Sequence, residues 1–361
     1  MERKESTSGI LNLMIQPAFT VKDGVIDLIN EAAQKYMLEQ GTPIGELLRT
    51  GSLEYSNLEE GCLYLTLSIA NIPCGASVRR MEGFDLFTLE QEADQTELQA
   101  MALAAQELRS PLSNVMTVAD QLFPVADDTE HPQTKEQIAR INRGLFQMLR
   151  IVSNMSDAYR YTQQTEPRME MQDVTAVVQE VFDESAQMLR YGNTELVFVN
   201  EGKEVYSFID REKLERAIRN MISNAVKFSQ KGSPIHARLL RKNDMLYLSV
   251  QDSGSGMEAE QRMNVHARFR RQPGLEDSRF GIGLGMVLIR TAAAIHGGTV
   301  LIDHPNGKGT RVTLSMAIRQ KGDNLVRAHM LTVDYAGERN YGLVELSEVL
   351  PAELYQAADI N

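Results

Sequence analysis

Three short segments combine residue types that can hold a phosphorylated ligand. In "LERAIRNMISNAVKFS", Asn220 and Asn224 stand four apart with Lys227 three further on, so that on a helix two amides and an amine line one groove. In "LYLSVQDSGSGM", a β-prone run ends at Asp252 and is followed by Gly254 and Gly256, which sets an acidic side chain beside backbone free to take positive φ. In "RFGIGLGMVLIR", Gly281, Gly283 and Gly285 form a glycine-rich turn that opens a helix, and such a turn presents backbone N–H groups to phosphate. A lone GxGxG or a lone pair of amides is weak evidence, because tight turns and polar helix faces are common. The three in this order and spacing are strong evidence.

A fourth segment, "AAQELRSPLSNV", sets Gln106, Glu107, Arg109 and Ser110 ahead of Pro111. A glutamine amide is a poor nucleophile, because its nitrogen lone pair is delocalised into the carbonyl. Glu107 is a carboxylate able to act as a base, but it has no nucleophile beside it to activate.

The elements that must position these groups are legible from periodicity. Met101, Ala105, Leu108, Leu112, Val115, Ala119 and Leu122 recur in alternating steps of four and three, as do Ile138, Ile141, Leu145, Met148, Val152, Met155 and Tyr159. Between the two runs, "FPVADDTEHPQT" reads as a loop. With Ala105 and Leu108 at a and d positions, Gln106 and Ser110 project outward while Leu108 and Leu112 point inward, and Pro111 is expected to bend the helix. Two such helices form a hairpin over residues 93–165 whose apolar seam is naturally buried by pairing two hairpins in a homodimeric four-helix bundle. Docking of the hairpin onto another domain of the same chain is the alternative.

Residues 1–92 alternate short apolar runs with turn signals, and Asp23-Gly24 between β-prone segments marks a hairpin. Residues 166–318 form a larger unit that enters by strand, helix and strand, and its helix is expected at about 210–228. Residues 319–361 carry no readable role.

Hydrophobic content of 43% over 361 residues supports two or three cores. The formal charge of −12 without a Lys/Arg run argues against nucleic acid or an anionic membrane surface as partner. No apolar run reaches membrane-spanning length, and the N-terminal residues do not read as a signal peptide, so a cytoplasmic location is expected. Two cysteines, Cys62 and Cys74, outside any CxxC pair, form neither a disulfide framework nor a zinc site on their own.

Taken together, the motifs from about Leu98 to Ile318 closely resemble sensor histidine kinases. "NMISNAVKFS" looks like the N box, "DSGSGM" and "GIGLGM" the two glycine boxes, and "HARFRR" the F box of their Bergerat (GHKL) ATP-binding domain. The strand, Asp-Gly turn, strand, Asn30 and helix order of the first module resembles a PAS sensor domain. The fold class implied is α+β multidomain: a PAS-like module, a two-helix dimerisation hairpin and a Bergerat α/β sandwich.

The resemblance implies that Asp252 reads the adenine amine, that Asn220 belongs to the ATP site, that Asn224 ligates Mg²⁺ and that Lys227 and Arg271 contact phosphate. Gly254, Gly256, Gly281, Gly283 and Gly285 would allow close backbone approach, and "QPGLEDSR" would be a mobile lid. The F box departs from the pattern, with His266 and Arg270 where aromatic residues are common. His266 itself has no identifiable carboxylate partner.

The larger departure is Gln106, which occupies the position of the phosphoacceptor histidine in the motif His-Glu-Leu-Arg-Ser/Thr-Pro-Leu. Autophosphorylation there is expected to be lost, and neither His131, His236, His296 nor His304 sits on the exposed helix face to replace it. His329 falls in the tail. Ser110 occupies a position where a polar side chain can orient water against a response regulator's phosphoaspartate, or is simply a small residue before proline. The implied cofactors are ATP and Mg²⁺. The implied partners are a second copy or an active kinase in a heterodimer, and a response regulator receiver domain.

Three alternatives stay open: an active kinase with a relocated acceptor, a GHKL serine kinase or ATPase, and a pure interaction module. Hydrolysing relatives tend to carry glutamate four residues before the magnesium asparagine, whereas this chain has Asn220.

Overall fold

The structure is a computed structural model that describes residues 11–90, 93–127, 132–162, 167–256, 283–305, 308–320 and 339–355. The first strands, β1 (Ala18–Lys22) and β2 (Val25–Ile29), pair antiparallel with Lys22 opposite Val25, so Asp23 and Gly24 alone make the turn. Both take positive φ, 51° and 79°, as a two-residue hairpin requires. Asn30 follows as the cap of a 3₁₀ turn over Glu31–Tyr36. Its buried side chain accepts from the N–H groups of Ala18 and Ala33 and donates to the carbonyls of Leu11, Met14 and Gln16. One residue thus ties the turn to the edge of the sheet. Two short helices, α1 (Ile44–Leu47) and α2 (Ser52–Ser56), lead to β3 (Cys62–Ile69), β4 (Ile72–Met81) and β5 (Phe84–Leu89). Phe19, Phe87, Leu63, Leu65 and Leu67 fill the core beneath them.

Two long helices follow, α3 (Ala93–Asp127) and α4 (Pro132–Thr162). The expected loop is shorter than its sequence implied: helix α3 continues through Phe123-Pro124-Val125-Ala126-Asp127, the one lost hydrogen bond at Pro124 being outweighed by the rest of the helix. Helix α3 also runs without interruption through Pro111.

The predicted seam divides into two sets. Ala105, Leu112, Leu145 and Val152 are buried within the chain, whereas Leu108 (51% exposed), Val115 (53%), Ile141 (61%) and Met148 (47%) are not. The expectation that Leu108 points inward alongside Leu112 is therefore corrected for the single chain. The reason is geometric, since one partner helix covers only one flank of an a/d stripe.

The C-terminal unit begins with β6 (Glu170–Asp173) and α5 (Val174–Tyr191), whose N-cap Asp173 accepts from the N–H groups of Thr175 and Ala176. After β7 (Leu196–Asn200) and β8 (Tyr206–Ile209), Asp210 caps α6 (Arg211–Phe228) through the Lys213 N–H. The remaining elements are β9 (Ile235–Lys242), β10 (Met245–Gln251), α7 (Leu284–Ile295), β11 (Val300–Asp303), β12 (Arg311–Ala317) and α8 (Tyr341–Glu345).

The main sheet has the order β2-β1-β5-β4-β3-β11-β12-β10-β9-β7, with β6 and β8 pairing separately. Antiparallel pairing of β3 with β11, Val300 opposite Tyr64 and Ile302 opposite Cys62, joins the N-terminal sheet to the C-terminal one. Helices α5 and α6 bury Val178, Phe182, Leu214, Ile218 and Met221 in a core that also takes in Leu145, Phe146 and Leu149 of α4.

Candidate functional site

At the end of β10, Asp252 is buried and its Oδ1 accepts from the N–H groups of Gly254 (2.8 Å) and Thr310 (3.1 Å). Among the described residues Oδ2 takes no hydrogen bond, so the second carboxylate oxygen of a buried residue is left for an external donor. Burial raises the Asp252 pKa above its ordinary value, while the Gly254 and Thr310 N–H groups pull it down. A donor from a ligand would pull it down further. The surrounding backbone is close-packed: a Cβ on Gly254 would strike the carbonyl of Phe228, and one on Gly309 the carbonyl of Asp252. Gly256 takes φ +76°.

Helix α6 carries the amides and the amine. Asn224 is half-buried, and among the described residues its side chain makes no hydrogen bond. Lys227, three residues on, pairs with Glu348 Oε2 at 2.7 Å. Asn220 is fully buried, and both ends of its amide meet protein: its Oδ1 accepts from Arg150 Nη2 (3.3 Å), and its Nδ2 donates to the Arg216 carbonyl (2.9 Å) and to Glu345 Oε2 (3.2 Å). Gly285 of α7 packs on the same amide, where a Cβ would lie 2.8 Å from Oδ1. Gly283 caps α7 with φ +80° and, lacking a side chain, makes no side-chain capping bond; the first-turn N–H groups of a helix are of the kind that suits an anion. Arg271, Gly281, His266 and the expected lid lie outside the described residues.

On α3, Gln106, Glu107 and Ser110 are exposed, while neighbouring Arg109 reaches across to Ser156 Oγ of α4 at 3.4 Å. Of the six histidines, His236, His296 and His304 are described, and all three lie in the C-terminal unit. His296 is buried, with its Nδ1 against the Ala292 carbonyl at 2.7 Å and its Nε2 accepting from the Asp210 N–H at 3.0 Å, which requires the neutral ring protonated at Nδ1. Burial, chiefly, lowers its pKa. It holds the cap residue of α6 in place and is not available to a partner.

The residues that sequence reading missed are the ones that brace this site. Arg216 donates to Glu345 Oε1 (2.9 Å), to Asn154 Oδ1 (2.8 Å) and to Asp157, while Arg150 faces both Glu345 (3.5 Å) and Glu348 (3.1 Å). The only local signal was a pair of acids three apart in the otherwise apolar "GLVELSEVL".

The family described as histidine kinase-, DNA gyrase B-, and HSP90-like ATPase matches residues 209–320, which hold Asn220, Asn224, Asp252 and the glycine-rich turns. Over a longer stretch the chain is 23% identical to Sensor histidine kinase RppB of Synechocystis sp., covering 62% of this chain and 50% of that one. It is 24% identical to Sensor histidine kinase WalK of Bacillus subtilis, covering 66% and 39%. The match to Histidine kinase P4 of Formosa agariphila covers 63% of this chain and 17% of that one, so the chain spans half or less of these relatives. Full-length ShkA in complex with AMPPNP shares the fold, with a TM-score of 0.50 at 18% identity over 63% of this chain and 47% of that one. The chain therefore carries an ATPase domain of this family and is related to sensor histidine kinases.

Proposed function

We propose that this chain is an ATP-binding, sensor-histidine-kinase-like protein of two-component signalling that has lost its own acceptor. The observation that carries the nucleotide part is the buried carboxylate of Asp252, one oxygen held by two backbone N–H groups and the other left for the adenine amine. The free half-buried amide of Asn224, one turn before Lys227, fits a Mg²⁺ ligand, and the bound ion would neutralise phosphate charge. Lys227 and the N-terminus of α7 then face the phosphates. Arg271 and Gly281 are assigned to the same site by resemblance.

Exposed Gln106 cannot accept the transferred phosphoryl group, because its amide nitrogen carries no available lone pair. The chain then acts on the histidine of a partner chain, or on a response regulator docked at the Gln106 and Ser110 face. Apolar side chains left exposed on both hairpin helices support a homodimer, and the N-terminal strand order supports a PAS-like input module. Among the described residues no helix is long and apolar enough to cross a membrane.

Calorimetric titration of AMPPNP·Mg²⁺ into the unaltered chain and Asp252→Asn tests the nucleotide reading. Binding by the first and a loss of roughly tenfold or more by the second is expected. Equal affinity would sink it.

A further inference from the structure

Residues 339–355 lie across the helix that carries Asn220, Asn224 and Lys227, and they are built as a docked ligand would be. Leu343, Val344, Leu346, Leu350, Leu354 and Tyr355 are buried in the common core, and the Tyr355 ring meets Phe146 of α4 edge-on at 5.1 Å. Polar bonds fix the register: Asn142 donates to the Tyr355 carbonyl (2.9 Å), while Arg143 donates to the carbonyls of Ser347 and Glu348, both at 3.0 Å. Gln147 adds a bond to Ser347 at 3.1 Å. All of these donors belong to α4. The apolar and backbone contacts anchor the segment, and they set its two acids between Arg150 of α4 and the cations and amide of α6.

The two acids have different settings. Glu345 is buried between Arg216 and the Asn220 amide, a structural position. Glu348 sits at the edge, its side chain 31% exposed, and takes Lys227 at 2.7 Å and Arg150 at 3.1 Å on the same oxygen. A carboxylate held by a lysine and an arginine, one helical turn from a free amide oxygen, has the donor set of a bound phosphate oxygen.

We propose that Glu348 is an internal competitor of the nucleotide's phosphates, holding the Lys227 amine and Arg150 until a triphosphate displaces it. The proposal rests on the nucleotide reading of Lys227 given above. It adds that the C-terminal segment sets the affinity of the site, and that α4, through Arg150, takes part in the exchange. When phosphate takes Lys227, Glu348 keeps Arg150 alone. Glu345 and the apolar anchor stay in place. The resting site is thereby biased against nucleotide without any loss of the segment's docking.

The test compares the unaltered chain with Glu348→Gln and Glu348→Ala, titrating AMPPNP·Mg²⁺, tripolyphosphate·Mg²⁺ and adenosine into each. Removing the competing charge is expected to tighten both triphosphate ligands by roughly tenfold. Adenosine, which has no phosphate, should bind all three proteins alike. Unchanged triphosphate affinity, or equal tightening of adenosine, would overturn the proposal, the latter because it marks a general loosening of the pocket. Tighter tripolyphosphate with no adenine binding by any protein would uphold the competitor and reject the nucleotide reading. Failure of every ligand on every protein would reject both.

Discussion

Arg150, on the second helix of the hairpin, donates to Oδ1 of Asn220 at 3.3 Å, and both residues are buried. A contact between α4 and the helix that carries the site residues means the hairpin and the C-terminal domain are not independent bodies in this state. Arg150 also balances Glu345 and Glu348, so its charge is compensated on two sides.

Replacing Arg150 with Met would leave buried Glu345 and half-buried Glu348 each short of one cationic partner. A loss of about 3–5 kcal/mol is expected, read as a lower urea midpoint with an unchanged slope. Arg150→Lys should recover part of it by restoring charge without the planar fork. A stability change below about 0.5 kcal/mol for Arg150→Met would show that the network is not coupled.

Gly254→Ala sets a methyl group against the Phe228 carbonyl, beside the Asp252 carboxylate. Backbone cannot yield there as a side-chain tip would. Destabilisation of about 1–3 kcal/mol and loss of AMPPNP·Mg²⁺ binding are expected, measured by thermal unfolding and calorimetry. Gly232→Ala, at an open position where only the positive φ is strained, should cost about 1 kcal/mol and leave binding intact.

The buried, neutral His296 makes stability depend on pH. Its folded pKa lies below the ordinary 6.5 because burial disfavours the charged ring. Above 6.5 both states hold the ring neutral and its contribution is complete. As pH falls from 6.5 toward the folded pKa, the unfolded chain takes up a proton that the folded one refuses, and stability drops by up to ~1.4 kcal/mol per pH unit. Unfolding curves for His296→Gln should show a shallower dependence between pH 6.5 and 5; an identical slope would exclude the histidine as its source.

The exposed flank of the hairpin gives a test of assembly. Leu108→Glu together with Ile141→Glu adds charge where an apolar partner is expected, and sedimentation velocity should show a shift from dimer to monomer. A monomeric unaltered chain would instead leave that stripe open to solvent or to another protein.

Much of the local structure was legible. Asp23-Gly24 is a short-range signal, and Asn30 and Asp210 each make a local cap, to the N–H groups of Ala33 and Lys213, although their further bonds reach distant residues; the helix after Asp210 follows from that cap and an apolar face. The motif residues proposed for the site stand out in the sequence for the same reason, since Asn224 and Lys227, or Asp252 and Gly254, are near neighbours in the chain. What was hidden depends on distant partners. Pairing of Leu63 with Leu301 is set by edges that carry no local mark. Glu348 looks like one more surface acid until it meets Lys227, 121 residues away. The seam is apolar and a/d spaced in the sequence, but periodicity does not say which flank the chain itself covers, and so the expectation puts Leu108 inside where the single chain leaves it exposed.

Transfer of the γ-phosphate from labelled ATP·Mg²⁺, run side by side on the unaltered chain and on Gln106→His, bears most directly on the lost acceptor. Label on the histidine variant alone is the predicted result, and it would show a working phosphotransferase whose own target is missing. Label on the unaltered chain would contradict the reading of Gln106 and require a second acceptor.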